Sequence, residues 1–80
     1  MNPRVLMVKP EKDYCLELTF SNGQVKFFDM KPYLEVGVFR ELKDNSLFNS
    51  VHPFLGSIQW KNGQDLCPDT LYLDSTPAVV

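Results

Sequence analysis

The sequence predicts an α+β domain: a largely antiparallel sheet built from two Asn-Gly hairpins plus an N-terminal strand, with short helices on one face. Three observations predict it. Asn-Gly dipeptides at 22–23 and 62–63 are each preceded by an alternating apolar/polar run. Asn and Gly both tolerate the positive φ that a two-residue type I′ hairpin turn requires. Between the two hairpins, residues 31–53 carry helical spacing punctuated by prolines, so strands and helices fall into separate groups.

The elements follow in order. Val5, Leu6, Met7 and Val8 form a short apolar run bracketed by Pro3 and Pro10, which suits an edge strand. Glu11, Lys12 and Asp13 make a charged turn. Tyr14, Leu16, Leu18 and Phe20 then alternate with Cys15, Glu17 and Thr19, giving a strand with one buried face. With Asn22-Gly23 as a two-residue loop, Phe20 faces Val25 and Leu18 faces Phe27 across the return strand 24–29. Phe28 then falls on the outer face beside Glu17.

Pro32 fits the first turn of a short helix, and Gly37 ends it. Val38, Phe39 and Leu42 share one helical face over 38–43, with Arg40, Glu41 and Lys43 outside. Asp44 is a good N-cap for a short helix bearing Leu47, Phe48 and Val51, which Pro53 ends. A second alternating strand spans 56–61, with Ile58 and Trp60 on one face and Ser57 and Gln59 on the other. Asn62-Gly63 returns the chain through 64–66, where simple register sets Asp65 opposite Trp60, in reach of its indole N–H. Asp69 and Thr70 start one turn carrying Leu71, Tyr72 and Leu73. The domain occupies 1–74, and 75–80 form an extended or frayed tail. The segments F-S-N-G-Q at 20–24 and W-K-N-G-Q at 60–64 echo each other. Repeated turn chemistry is a simpler account of the echo than duplication.

Composition narrows the function. The chain has 80 residues, with Lys plus Arg at 8 and Asp plus Glu at 10, so the net charge is 8 − 10 = −2. That charge argues against direct nucleic-acid binding, which calls for excess Lys and Arg. No apolar run approaches the roughly 20 residues that cross a bilayer, so no membrane is expected. The N-terminus lacks an apolar signal core, so a cytoplasmic location is expected. Cys15 and Cys67 are then expected to be free thiols. A chain of this size buries only about 63% of its surface, so self-association is a reasonable expectation.

Catalytic, cofactor and metal sites are not expected. Four glycines form no phosphate-binding loop, and the single His52 has no ligand-spaced partners. Asp29, Asp65, Asp69 and Asp74 are the only carboxylates considered for acid–base work, and caps and turns explain them better. Ten aromatic residues are the other notable feature. Trp60, Phe27, Phe20, Phe39 and Phe48 fit buried faces, while Phe28, Tyr33 and Phe54 are the candidate partner-contact residues. The function expected is a non-catalytic protein-interaction or regulatory module that binds a protein partner or itself. The alternative is an antitoxin-like or transcription-regulator-associated domain acting with a partner.

Several segments together are specific. They are N-P-R-V at 2–5, L-x-L-T-F-S-N-G at 16–23, F-D-M-K-P-Y-L at 28–34, G-V-F-R-E-L-K-D at 37–44, L-F at 47–48, G-S-I-Q-W-K-N-G-Q-D at 56–65 and P-D-T-L-Y at 68–72. Over residues 2–77 the chain resembles the small bacterial family of domain of unknown function 2442 (DUF2442). It departs from that pattern at His52-Pro53, where an apolar lead-in to a strand is more usual. The resemblance implies an α+β domain without known enzymatic activity. It also implies occasional longer relatives that append a helix-turn-helix domain, and some relatives encoded near toxin–antitoxin genes.

Overall fold

The computed structural model describes residues 2–77. In chain order the elements are β1 (Val5–Glu11), β2 (Cys15–Phe20), β3 (Val25–Asp29), α1 (Asn45–Phe48), β4 (His52–Phe54), β5 (Ser57–Gln59), β6 (Asp65–Leu66), α2 (Pro68–Asp74) and β7 (Thr76–Pro77), with 3₁₀ turns at Lys12–Tyr14, Lys31–Tyr33 and Gly37–Lys43. The antiparallel α+β architecture is the expected one. Its strands divide into a four-stranded sheet, β1-β2-β3-β7, and a three-stranded sheet, β4-β5-β6. Two strands were not anticipated. Pro53 lies inside β4, an edge strand, where its missing N–H faces no partner. Thr76 and Pro77 pair with Phe27 and Lys26, so the start of the tail is extended and adds to the sheet. The last three tail positions lie outside the described residues.

Both Asn-Gly turns close with the same geometry. Phe20 N–H donates to Gln24 O at 2.8 Å and Gly23 N–H to Phe20 O at 2.9 Å. Trp60 and Gly63 repeat the pair at 2.8 and 2.9 Å. Each asparagine Oδ1 accepts from the glutamine N–H two residues on, at 3.0 and 3.1 Å. Positive φ occurs at Gly23 (86°) and Gly63 (90°), not at the asparagines. These are three-residue loops, a turn followed by a glycine bulge, and not the expected two-residue loops. One extra loop residue moves the pairing by one and turns over every side chain of the return strand. Leu18 therefore faces Lys26 and Leu16 faces Phe28, while Val25 and Phe27 lie opposite Thr19 and Glu17. Phe28 is 1% exposed and Phe27 38%, the reverse of the expected placement. In the second hairpin Asp65 sits opposite Gln59, and the Trp60 indole N–H donates instead to the Phe48 carbonyl at 3.1 Å.

The two-residue turn lies elsewhere, between β4 and β5. Leu55 (φ 49°) and Gly56 (φ 81°) are both left-handed, the type I′ pattern. Arg4 holds this turn through Nη2, which donates to Leu55 O at 2.7 Å. Val5 N–H donates to Gly56 O at 2.9 Å and Ser21 N–H to Arg4 O at 2.7 Å, so the start of β1 joins the tips of two hairpins.

The core gathers Val5, Leu16, Leu18, Phe20, Phe28, Met30, Phe48, Ile58, Trp60 and Leu71 between the sheets and the short helices. Asp44 caps α1 as expected, accepting from Ser46 N–H at 2.9 Å. Residues 37–43 wind as a 3₁₀ helix, in which positions three apart eclipse. Phe39 and Leu42 therefore share the inner face, and Val38, expected beside them, is exposed.

Candidate functional site

The pleat of β1–β3 gives the large sheet an outer face. Met7, Thr19 and Val25 form one row across the strands, and Lys9, Glu17 and Phe27 the next. A bulge between Val5 and Met7 adds Leu6 at the start of β1. Leu6 and Met7 are 58% and 65% exposed. The outer face thus carries apolar side chains on both flanking strands, Leu6 and Met7 on β1 and Val25 and Phe27 on β3, with Thr19 and Glu17 of β2 between them.

At the β3 end this face runs into an open groove of about 510 Å³. Cys15, Phe27, Phe28, Asp29, Pro32, Tyr33, Asp74 and Thr76 line it. The groove exists because β7 pairs only with Lys26 and Phe27, leaving the edge of β3 uncovered at Phe28 and Asp29. Phe28 and Tyr33 meet with ring centroids 5.5 Å apart and planes at 31°, and Phe39 packs edge-on against Tyr33 at 6.2 Å. Tyr33 is half-buried and its phenol lies beside the Asp74 carboxylate. Burial chiefly, then the Asp74 charge and hydrogen bond, raise the Tyr33 pKa above the ordinary 10.0. Asp29 accepts from Lys31 N–H at 2.9 Å and pairs with the Lys31 ammonium at 3.1 Å. That hydrogen bond is the largest cause of the raised Lys31 pKa.

Phe54 belongs to a second depression, of about 340 Å³, shared with Leu55, Ser57, Asp65, Leu66, Cys67 and Pro68. Of the three candidate contact residues, Phe28 and Tyr33 therefore converge and Phe54 does not join them. Phe28, expected on the outer face, is buried at the floor of the groove, and the exposed ring at this end of β3 is that of Phe27. The four carboxylates also separate. Asp29 and Asp74 line the groove, Asp65 the second depression, and Asp69 accepts from Asn2 Nδ2 at 3.1 Å. Asp74 and Phe27 are among the groove residues that the sequence does not single out as partner contacts. Asp74 carried a weak signal, an acid at the end of a helix that has no basic residue in its last turn.

Both cysteines are free thiols. Among the described residues no three His, Cys, Asp or Glu side chains gather as a metal site. No helix among them is long and apolar enough to cross a membrane.

Comparison with known proteins places the chain. No curated protein matches it, and no solved structure does. The family model described as protein of unknown function (DUF2442) matches residues 5–77, from the first strand to the last. The match spans nearly the whole chain, and the protein belongs to the DUF2442 family.

Proposed function

We propose that this chain is a non-catalytic protein-interaction module that binds a partner protein, or a second copy of itself, through the outer face of its four-stranded sheet. One observation carries the reading: Leu6, Met7 and Phe27 stay exposed on one face of the sheet while thirteen other apolar side chains fill the core. Apolar side chains gathered on one face of a small domain favour an interaction site, because leaving them in water forgoes about 25 cal/mol per Å² of burial. The neighbouring groove supports the same reading. Asp29 is paired with Lys31, and the groove's walls are aromatic, the residue type that anchors interfaces.

The test compares wild type with Met7→Lys in affinity capture from cells that express the chain natively, alongside sedimentation at several concentrations. A chain retained by wild type and lost by the variant at unchanged melting temperature supports the reading. So does self-association that the variant abolishes. Equal retention by both proteins, or no retention and a monomer throughout, overturns it.

A further inference from the structure

We infer that the groove between β3 and the end of α2 receives an arginine side chain of the partner protein. The inference deepens the interaction reading above and rests on it. The groove adjoins the outer sheet face, since Phe27 belongs to both. A cavity near 510 Å³ is roomy enough for one long side chain with its flanking backbone.

Charge complementarity selects the occupant. Asp29 and Asp74 contribute two carboxylates and Lys31 one ammonium, so the lining is left with one net negative charge. Lys31 is committed to Asp29 and to the Asp13 carbonyl, at 3.1 and 3.0 Å. Among the described residues Asp74 has no cationic partner; its neighbour is the Tyr33 phenol. Asp74 also stands at the carbonyl end of α2, where the helix dipole is negative and favours a cation.

The aromatic walls select guanidinium. A planar, weakly hydrated cation stacks on a ring face while donating two parallel N–H bonds to one carboxylate. Tyr33 and Phe27, the partly exposed rings of the lining, stand in the same groove as Asp74, over the buried Phe28. The chain already seats one of its own cations on an aromatic ring, Lys26 over Tyr72 at 4.0 Å.

The experiment is an amide NMR titration of the full chain with the peptide acetyl-Gly-Arg-Gly-amide, against the same peptide with neutral citrulline for arginine. Saturable shifts at residues 28–33 and 73–76, weakening about tenfold or more in Asp74→Asn and diminishing with added salt, are expected. Asp69→Asn, on the same helix and outside the groove, should bind as wild type does. Citrulline binding as tightly as arginine, the absence of saturable shifts, or undiminished binding by Asp74→Asn overturns the inference. The citrulline comparison uses wild type and so stands whatever Asp74→Asn does to folding. If the arginine peptide fails while Met7→Lys still abolishes partner capture, the groove assignment falls and the interaction reading stands. If arginine binds while partner capture is indifferent to Met7→Lys, the sheet-face reading falls and the groove remains an arginine site.

Discussion

Lys26 sets its ammonium 4.0 Å from the ring centroid of Tyr72 and donates to the Tyr72 carbonyl at 2.5 Å. This contact lets a lysine occupy a core-facing position of β3, between Leu18 and the C-terminal helix. Its aliphatic stem packs while its head finds an acceptor and a ring. Lys26→Met keeps the stem, and the Ser75 hydroxyl still donates to the Tyr72 carbonyl at 3.1 Å. Urea unfolding should place Lys26→Met within about 1 kcal/mol of wild type and Lys26→Ala about 1–3 kcal/mol lower. Equal losses in the two variants would show that charge, not packing, holds the site.

The one-residue shift in the first hairpin has a direct thermodynamic signature. Phe28→Ala opens a hole under the sheet and should cost about 3–5 kcal/mol. Phe27→Ala removes a side chain from the outer face and should cost less than about 1 kcal/mol. Denaturant titration of the two variants reads the register, because a two-residue turn would reverse their order.

The type I′ turn at Leu55-Gly56 is strained at one residue and crowded at the other. Leu55 holds φ 49° with its side chain 77% exposed, so Leu55→Asn relieves strain at no cost in packing. A rise of about 0.5–1 kcal/mol in stability is expected. At Gly56 a Cβ would run into the Arg4 guanidinium and displace it from the turn, in addition to the penalty of φ 81°. Gly56→Ala should lose about 2–4 kcal/mol. Part of that loss should disappear in an Arg4→Ala background, and a double-mutant cycle that is additive would exclude the clash as its source.

Tyr33 makes stability fall on the alkaline side. Its folded pKa lies above the ordinary 10.0, so as pH rises past 10 the unfolded chain gives up this proton first. Stability from Tyr33 is complete below that point and is lost as pH climbs through the folded value. Asp74→Asn removes the neighbouring charge but not the burial, which is the larger cause. The Tyr33 titration, followed by NMR at its ring carbon, should move down toward 10 without reaching it. A titration that ignores Asp74→Asn would separate the phenol from the carboxylate. Tyr33→Phe should shallow the alkaline loss of stability that remains.

The local signals determined much of this protein. Leu16, Leu18 and Phe20 alternate with Cys15, Glu17 and Thr19, and that alone placed β2 with its buried face. The Asn-Gly pairs located both hairpins, and Asp44 located the start of α1. Tertiary structure decided what these short-range signals left open. Asn-Gly serves a two-residue loop and a three-residue loop alike, and the choice turns on which side of β3 finds better burial. Phe28 under the sheet, with Lys26 satisfied by Tyr72, outweighs Val25 and Phe27 in those places. The same long-range packing brings Asp74 against Tyr33 across 41 residues and leaves β7 too short to cover the edge of β3. The groove is made by that shortfall, and no local pattern encodes a gap between segments distant in the chain.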